Sequence, residues 1–228
     1  MATYDLEEQE QLAELKAWWR QYGNLVVSIL TAASIGVIAW QGWNWYQRNQ
    51  TAQASMIYGV LQKSVLERDS PRIKAASGEL LEKFGGTTYA PLGALISAKA
   101  MFDVGDVKTA KVQLAWVIEH GKDELRDLAR LRLAAVLLDE HAYDEALRLL
   151  EGSFNTGFAV RFAESRGDIF SAQGKLAEAR SAYQVALTKL EESDKSGKGR
   201  SSLQDRQANG PYREMLQQKR ESLGDGLS

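Results

Sequence analysis

The sequence predicts an all-α chain: one N-terminal transmembrane helix followed by a solenoid of helical hairpins. Three observations carry that reading. No residue between positions 21 and 47 is charged, although 25% of the chain is Asp, Glu, Lys or Arg. Downstream, Val and Ile are scattered singly, without alternating runs joined by Asn-Gly hairpin turns, while Ala, Leu, Glu, Lys and Arg dominate. In that same part, small residues and alanines return at a nearly constant interval.

The first element is the uncharged stretch. Residues 23–46 exceed the roughly 20 that a helix rising about 1.5 Å per residue needs to cross a bilayer. Trp18, Trp19 and Tyr22 precede it, and Trp40, Trp43, Trp45 and Tyr46 close it, where aromatic belts would meet lipid headgroups. A cleaved secretory signal would start basic and end on small residues. Here Asp5, Glu7, Glu8, Glu10 and Glu14 outweigh Lys16 and Arg20, and tryptophans fill the place of the cleavage site, so an uncut anchor is expected. Lys16 and Arg20 on one side against Arg48 on the other favour a cytoplasmic N-terminus and an external domain. The absence of cysteine permits an oxidising compartment. Ser28, Ala32 and Gly36 recur every four residues, a small-residue stripe that is a candidate interface for another membrane helix.

The second part is the repeat array. In residues 161–190, Gly167 and Phe170 fall on one helix, Gln173-Gly174-Lys175 make a turn, and Ala179, Tyr183 and Ala186 fall on the next. The same places are held by Ala134, Leu137, Ala146 and Leu150 around residues 140–143, and by Ala98, Met101, Ala110, Leu114 and Val117 around residues 104–106. Ala110, Ala146 and Ala179 are 36 and 33 residues apart. This pattern resembles the tetratricopeptide repeat, whose period is about 34 residues. Small residues let paired helices approach, and aromatics fill the space between units. A more degenerate unit is expected over residues 51–84, with Ala75 or Ala76 at the equivalent place. Gly105 and Gly174 suit the left-handed conformation that closes a helix. The expected organisation is a cytoplasmic tail (1–22), the membrane helix (23–46), the repeat domain (47–192), a flexible loop (193–210), and a capping helix with tail begun by Pro211 (211–228).

The formal net charge of −2 offers no basic surface for nucleic acid. The two histidines, His120 and His141, sit beside turns without a partnered nucleophile, and no His/Asp/Glu cluster has metal-ligand spacing. Residues 197–201 lack a second glycine at the distance a phosphate loop requires, and any strand before it. No catalytic residue, metal or cofactor is expected. Binding is expected on a concave face built from the first helices of successive units, with Lys99, Phe102, Leu131, Leu138, Arg161 and Asp168 as candidate groove positions. For Phe102 and the leucines, packing between units is the equally weighted alternative.

The acidic tail, ELKAWWRQYGN before the anchor, WQGWNWYQ after it and RGDIFSAQGKLAEARSAYQ in the last repeat together resemble the ancillary SecYEG translocon subunit family. That resemblance implies a single-pass protein of the bacterial inner membrane with a periplasmic repeat domain. It also implies association with the SecYEG translocon and with periplasmic chaperones. The residues alone leave other scaffold roles open: a tethered regulator acting through the acidic tail, or an assembly factor for envelope complexes.

Overall fold

The structure, a computed structural model, describes residues 3–196 and 209–224, and its regular elements are all helical. The helices are α1 (Thr3–Glu67), α2 (Ser70–Phe84), α3 (Tyr89–Asp103), α4 (Val107–His120), α5 (Asp123–Asp139), α6 (Tyr143–Leu149), α7 (Ala159–Ala172), α8 (Leu176–Ser196) and α9 (Gly210–Glu221), with a 3-10 turn at Thr156–Phe158. The chain divides into two compact units, Met1–Gln53 and Ala54–Ser228.

In the first unit, α1 is long and apolar enough to cross a membrane by length and composition. Its apolar side chains are bare: Ile38 is 70% exposed and Trp40 67%. A core helix of a soluble unit would bury them, whereas lipid would cover them. Its hydroxyl side chains also suit lipid. Ser28, Thr31 and Ser34 each donate to the carbonyl four residues back at 2.8 Å, so none needs water. Trp18 stacks obliquely on Tyr22 at 5.9 Å and Trp43 on Tyr46 at 6.2 Å, one pair at each end of the uncharged stretch.

In the second unit the chain folds as successive helical hairpins, α3 with α4, α5 with α6, and α7 with α8, and the end of α1 from Ala54 packs into the same core beside α2 and α3. Local chemistry sets the boundaries. Asp69 caps α2 by accepting from the Arg72 amide at 3.1 Å, with Pro71 in the first turn. Asp106 caps α4 through the Thr109 amide (3.1 Å) and hydroxyl (2.8 Å). Lys74 also reaches Asp106 at 2.5 Å, and these bonds hold its carboxyl at about 2, well below the usual carboxylate value. Gly105 (φ 84°) and Gly174 (φ 74°) take the left-handed conformation at their turns; His141 (φ 59°) does so without being glycine.

The repeat alanines are where close packing needs them. Ala110, Ala146, Ala179 and Ala186 are fully buried, and Ala76 rather than Ala75 is the buried member in the degenerate first unit. There Gly93 of α3 lies against Leu61 and Leu80, whose methyls would stand 3.2 and 2.6 Å from a Cβ. One continuous core runs from Ala54 to Ile169; a second gathers Ala163, Ala179, Tyr183, Ala186, Leu187, Leu190 and Leu216 beneath α9.

Helix α6 has only seven residues, and the irregular chain after it is held from below. Arg130 of α5 donates to the carbonyls of Leu149 (2.7 Å), Ser153 (2.9 Å) and Glu151, while its partner Asp127 accepts from the Asn155 amide at 2.7 Å. Arg166 takes the Leu150 carbonyl. Phe162 closes this clamp, with the Arg130 guanidinium 4.8 Å above its ring.

Helix α8 runs on to Ser196, four residues into the stretch expected as a loop, and residues 197–208, including the phosphate-loop look-alike, lie outside the described residues. Pro211 stands in the first turn of α9. Leu216 is fully buried, and Tyr212, Met215 and Leu223 pack around it. Polar bonds fix the helix: Tyr212 donates to Glu164 (2.5 Å), Lys219 to Glu164 (2.8 Å) and Asp168 (2.7 Å), and Arg213 pairs with Asp194. This closes the end of the array, as a terminal unit of a solenoid must.

Candidate binding groove

Helices α3 and α5 are each the first member of a hairpin, and two neighbouring cavities lie along them. One, of about 360 Å³, has walls of Val65, Ile73, Leu95, Ile96 and Val104. The other, of about 280 Å³, is bounded by Phe102, Leu114, Ala135 and Val136. Lys99, Asp103 and Arg132 line both. Phe102 (39% exposed) and Val104 (53% exposed) are large apolar side chains left open there.

The polar groups between the cavities are not equivalent. Lys99 bonds both carboxylate oxygens of Asp103, at 3.0 and 2.9 Å, one turn away on the same helix. Arg132 is half-buried and donates to the Leu95 carbonyl at 3.2 Å. Among the described residues no carboxylate forms an ion pair with it. Burial lowers its pKa, yet a guanidinium remains charged at neutral pH. A positive group thus sits between two apolar hollows without a negative partner.

Of the positions expected from sequence, Lys99 and Phe102 meet in this groove. Leu131 is 8% exposed and belongs to the core, and Leu138 packs half-buried against it. The two leucines are seven residues apart, hence on one face of α5, and that face points inward. The groove-facing positions are the adjacent ones, Arg132, Ala135, Val136 and Asp139. Arg161 and Asp168 lie on α7, away from these cavities; Arg161 is exposed, and Asp168 accepts from Tyr183 and Lys219 in the α9 contact. Sequence reasoning missed Arg132. Its signal was an arginine set into the aliphatic run LRLAAVLL, where a helix cannot turn every neighbour of a leucine to water. In α1, Ser28, Ala32 and Gly36 are all exposed, and nothing lies within 4 Å of a Cβ built on Gly36.

Chemically the groove offers apolar contact and positive charge: the half-buried Arg132 between the cavities and the exposed Arg68 on the rim of the first. Among the described residues no group of three or more His, Cys, Asp or Glu is gathered that could hold a metal ion.

An apolar N-terminal helix long enough to cross a membrane, together with stacked hairpins whose signature alanines are buried, defines a protein of the tetratricopeptide-like class. A family model described as a tetratricopeptide repeat-like domain matches residues 16–225. Curated relatives named ancillary SecYEG translocon subunit are 30% identical over 81% of this chain and 90% of the relative in Neisseria gonorrhoeae, and 30% over 81% and 90% in Haemophilus influenzae. The relative of that name in Escherichia coli is 29% identical over 82% of this chain and 90% of its own length. The chain belongs to the ancillary SecYEG translocon subunit family.

Proposed function

We propose that this protein is a membrane-anchored, non-enzymatic adaptor of the SecYEG translocon, linking translocation to periplasmic chaperones through its repeat domain. In this reading α1 sits in the inner membrane with the N-terminus in the cytoplasm, and the hairpins stand in the periplasm. The carrying observation is that the chain combines a bare apolar helix with a helical-hairpin array that has an open, largely apolar groove along α3 and α5. The first feature suits an anchor, the second a surface for polypeptide. The names of its relatives supply the translocon as partner. The Lys16 and Arg20 bias supports this orientation.

The stripe Ser28, Ala32 and Gly36 is the proposed contact with the translocon's membrane helices, because small side chains let helix backbones approach. Isoleucine at all three positions should lower recovery of translocon subunits from mild detergent while leaving the repeat fold intact. Undiminished recovery would remove the stripe from the interface. Deleting residues 2–14 separates the adaptor from a regulator working through the acidic tail: an adaptor keeps its periplasmic partners, a tail-borne regulator loses its effect.

A further inference from the structure

We propose that the groove between α3 and α5 binds an extended polypeptide segment in which a glutamate or aspartate is flanked on both sides by apolar residues, its side-chain carboxylate held by Arg132. The inference rests on the adaptor reading and gives its binding surface a chemistry. A guanidinium carries five N–H donors in a planar fork. Arg132 is half-buried and is hydrogen-bonded to the Leu95 carbonyl, with no carboxylate in ion-pair reach among the described residues. Buried polar groups are ordinarily bonded, and a guanidinium fork matches a carboxylate best. Of the two aspartates lining the second cavity, Asp103 is held through both oxygens by Lys99, and Asp139 forms no ion pair with Arg132.

The surroundings say where that carboxylate sits in its chain. Arg132 borders both cavities, with Leu95, Ile96 and Val104 on one side and Phe102, Leu114 and Val136 on the other. A segment ending at Arg132 would leave one hollow empty. A segment passing over it fills both and presents an internal carboxylate. In an extended chain, side chains on one face alternate with period two, so the favoured pattern is apolar, any residue, acidic, any residue, apolar.

The test uses the full chain in mild detergent and three fluorescein-labelled peptides on a Gly/Ser background, read by anisotropy. The first contains Leu-Ser-Glu-Ser-Phe, the second replaces Glu with Gln, and the third has Leu followed by a free C-terminal carboxylate and no acidic side chain. The Glu peptide should bind about ten-fold or more tighter than the Gln peptide, as expected for a charge-assisted fork. Arg132→Gln should bring the two within about two-fold of each other with the thermal midpoint preserved. Arg132→Lys, which keeps the charge without the fork, should retain part of the preference and serves if the Gln variant does not fold. Equal affinity for Glu and Gln peptides, a preference that survives Arg132→Gln, tightest binding of the third peptide, or no binding of any would each overturn the proposal. Translocon subunits co-purifying with the wild-type chain in the same preparation would leave the adaptor reading standing in every such case.

Discussion

The ring of Tyr183 lies directly on the backbone of Gly167, so close that a Cβ on Gly167 would stand 2.5 Å from Cε1. Both residues carry the repeat pattern of the last hairpin, and neither can give way. Tyr183 is 3% exposed, and its hydroxyl is tied to Asp168 at 2.7 Å. Gly167→Ala gains up to about 1 kcal/mol of helix propensity, but overpacking costs about 1–3 kcal/mol, and with the ring pinned the second effect wins. Urea denaturation should show a net loss. Gly78 in α2 is the control: nothing lies within 4 Å of its Cβ position, so Gly78→Ala should be neutral or stabilising.

The Arg130 clamp should be the costliest single polar site in the array. Its side chain is 10% exposed and that of Asp127 6%. Removing one member of such a pair strands the other, a loss of about 3–5 kcal/mol. Arg130→Ala should therefore destabilise far more than Arg72→Ala, whose side chain is 67% exposed. Hydrogen exchange should show protection lost first over residues 149–158, whose carbonyls and amides the clamp holds.

Alkaline pH should loosen the α9 contact before the rest. Burial and the bond to Asp168 push the Tyr183 hydroxyl above its ordinary 10.0, and burial with the bond to Glu164 does the same for Tyr212. For Lys219, burial alone would lower the pKa, but bonds to Asp168 and Glu164 outweigh it and raise the value above 10.5. All three hold their protons more tightly folded than unfolded. Their contribution is fully present below pH 10 and is lost as pH rises beyond it. The urea midpoint should be flat on this account from pH 7 to about 9.5 and fall above about 10, with Tyr212→Phe showing a shallower fall.

The parts of the fold readable from sequence are those written in spacing. The uncharged stretch, the buried alanines at 110, 146 and 179, and the glycine turns at 105 and 174 all follow from period and from backbone sterics, which act locally. Arginine roles do not. Arg130, Arg132 and Arg166 look alike in sequence, yet one clamps carbonyls, one faces the groove and one caps α6, because their partners lie 16 to 37 residues away. Leu131 and Arg132 are neighbours whose roles depend on how far α5 is rotated about its axis, which the alternation of leucine and arginine leaves undetermined. Asp168 likewise has its partner 51 residues on, in α9.

The central claim, an adaptor that docks by its anchor and binds by its repeats, is tested most directly by photo-crosslinking in native membranes. A photoreactive residue is placed at position 36 in one variant and at position 102 in another, and the adducts are identified by mass spectrometry. Translocon subunits captured from position 36, and periplasmic chaperones or emerging polypeptides captured from position 102, are the predicted result. Cytoplasmic proteins captured at position 102, or no translocon subunit from position 36, would contradict it.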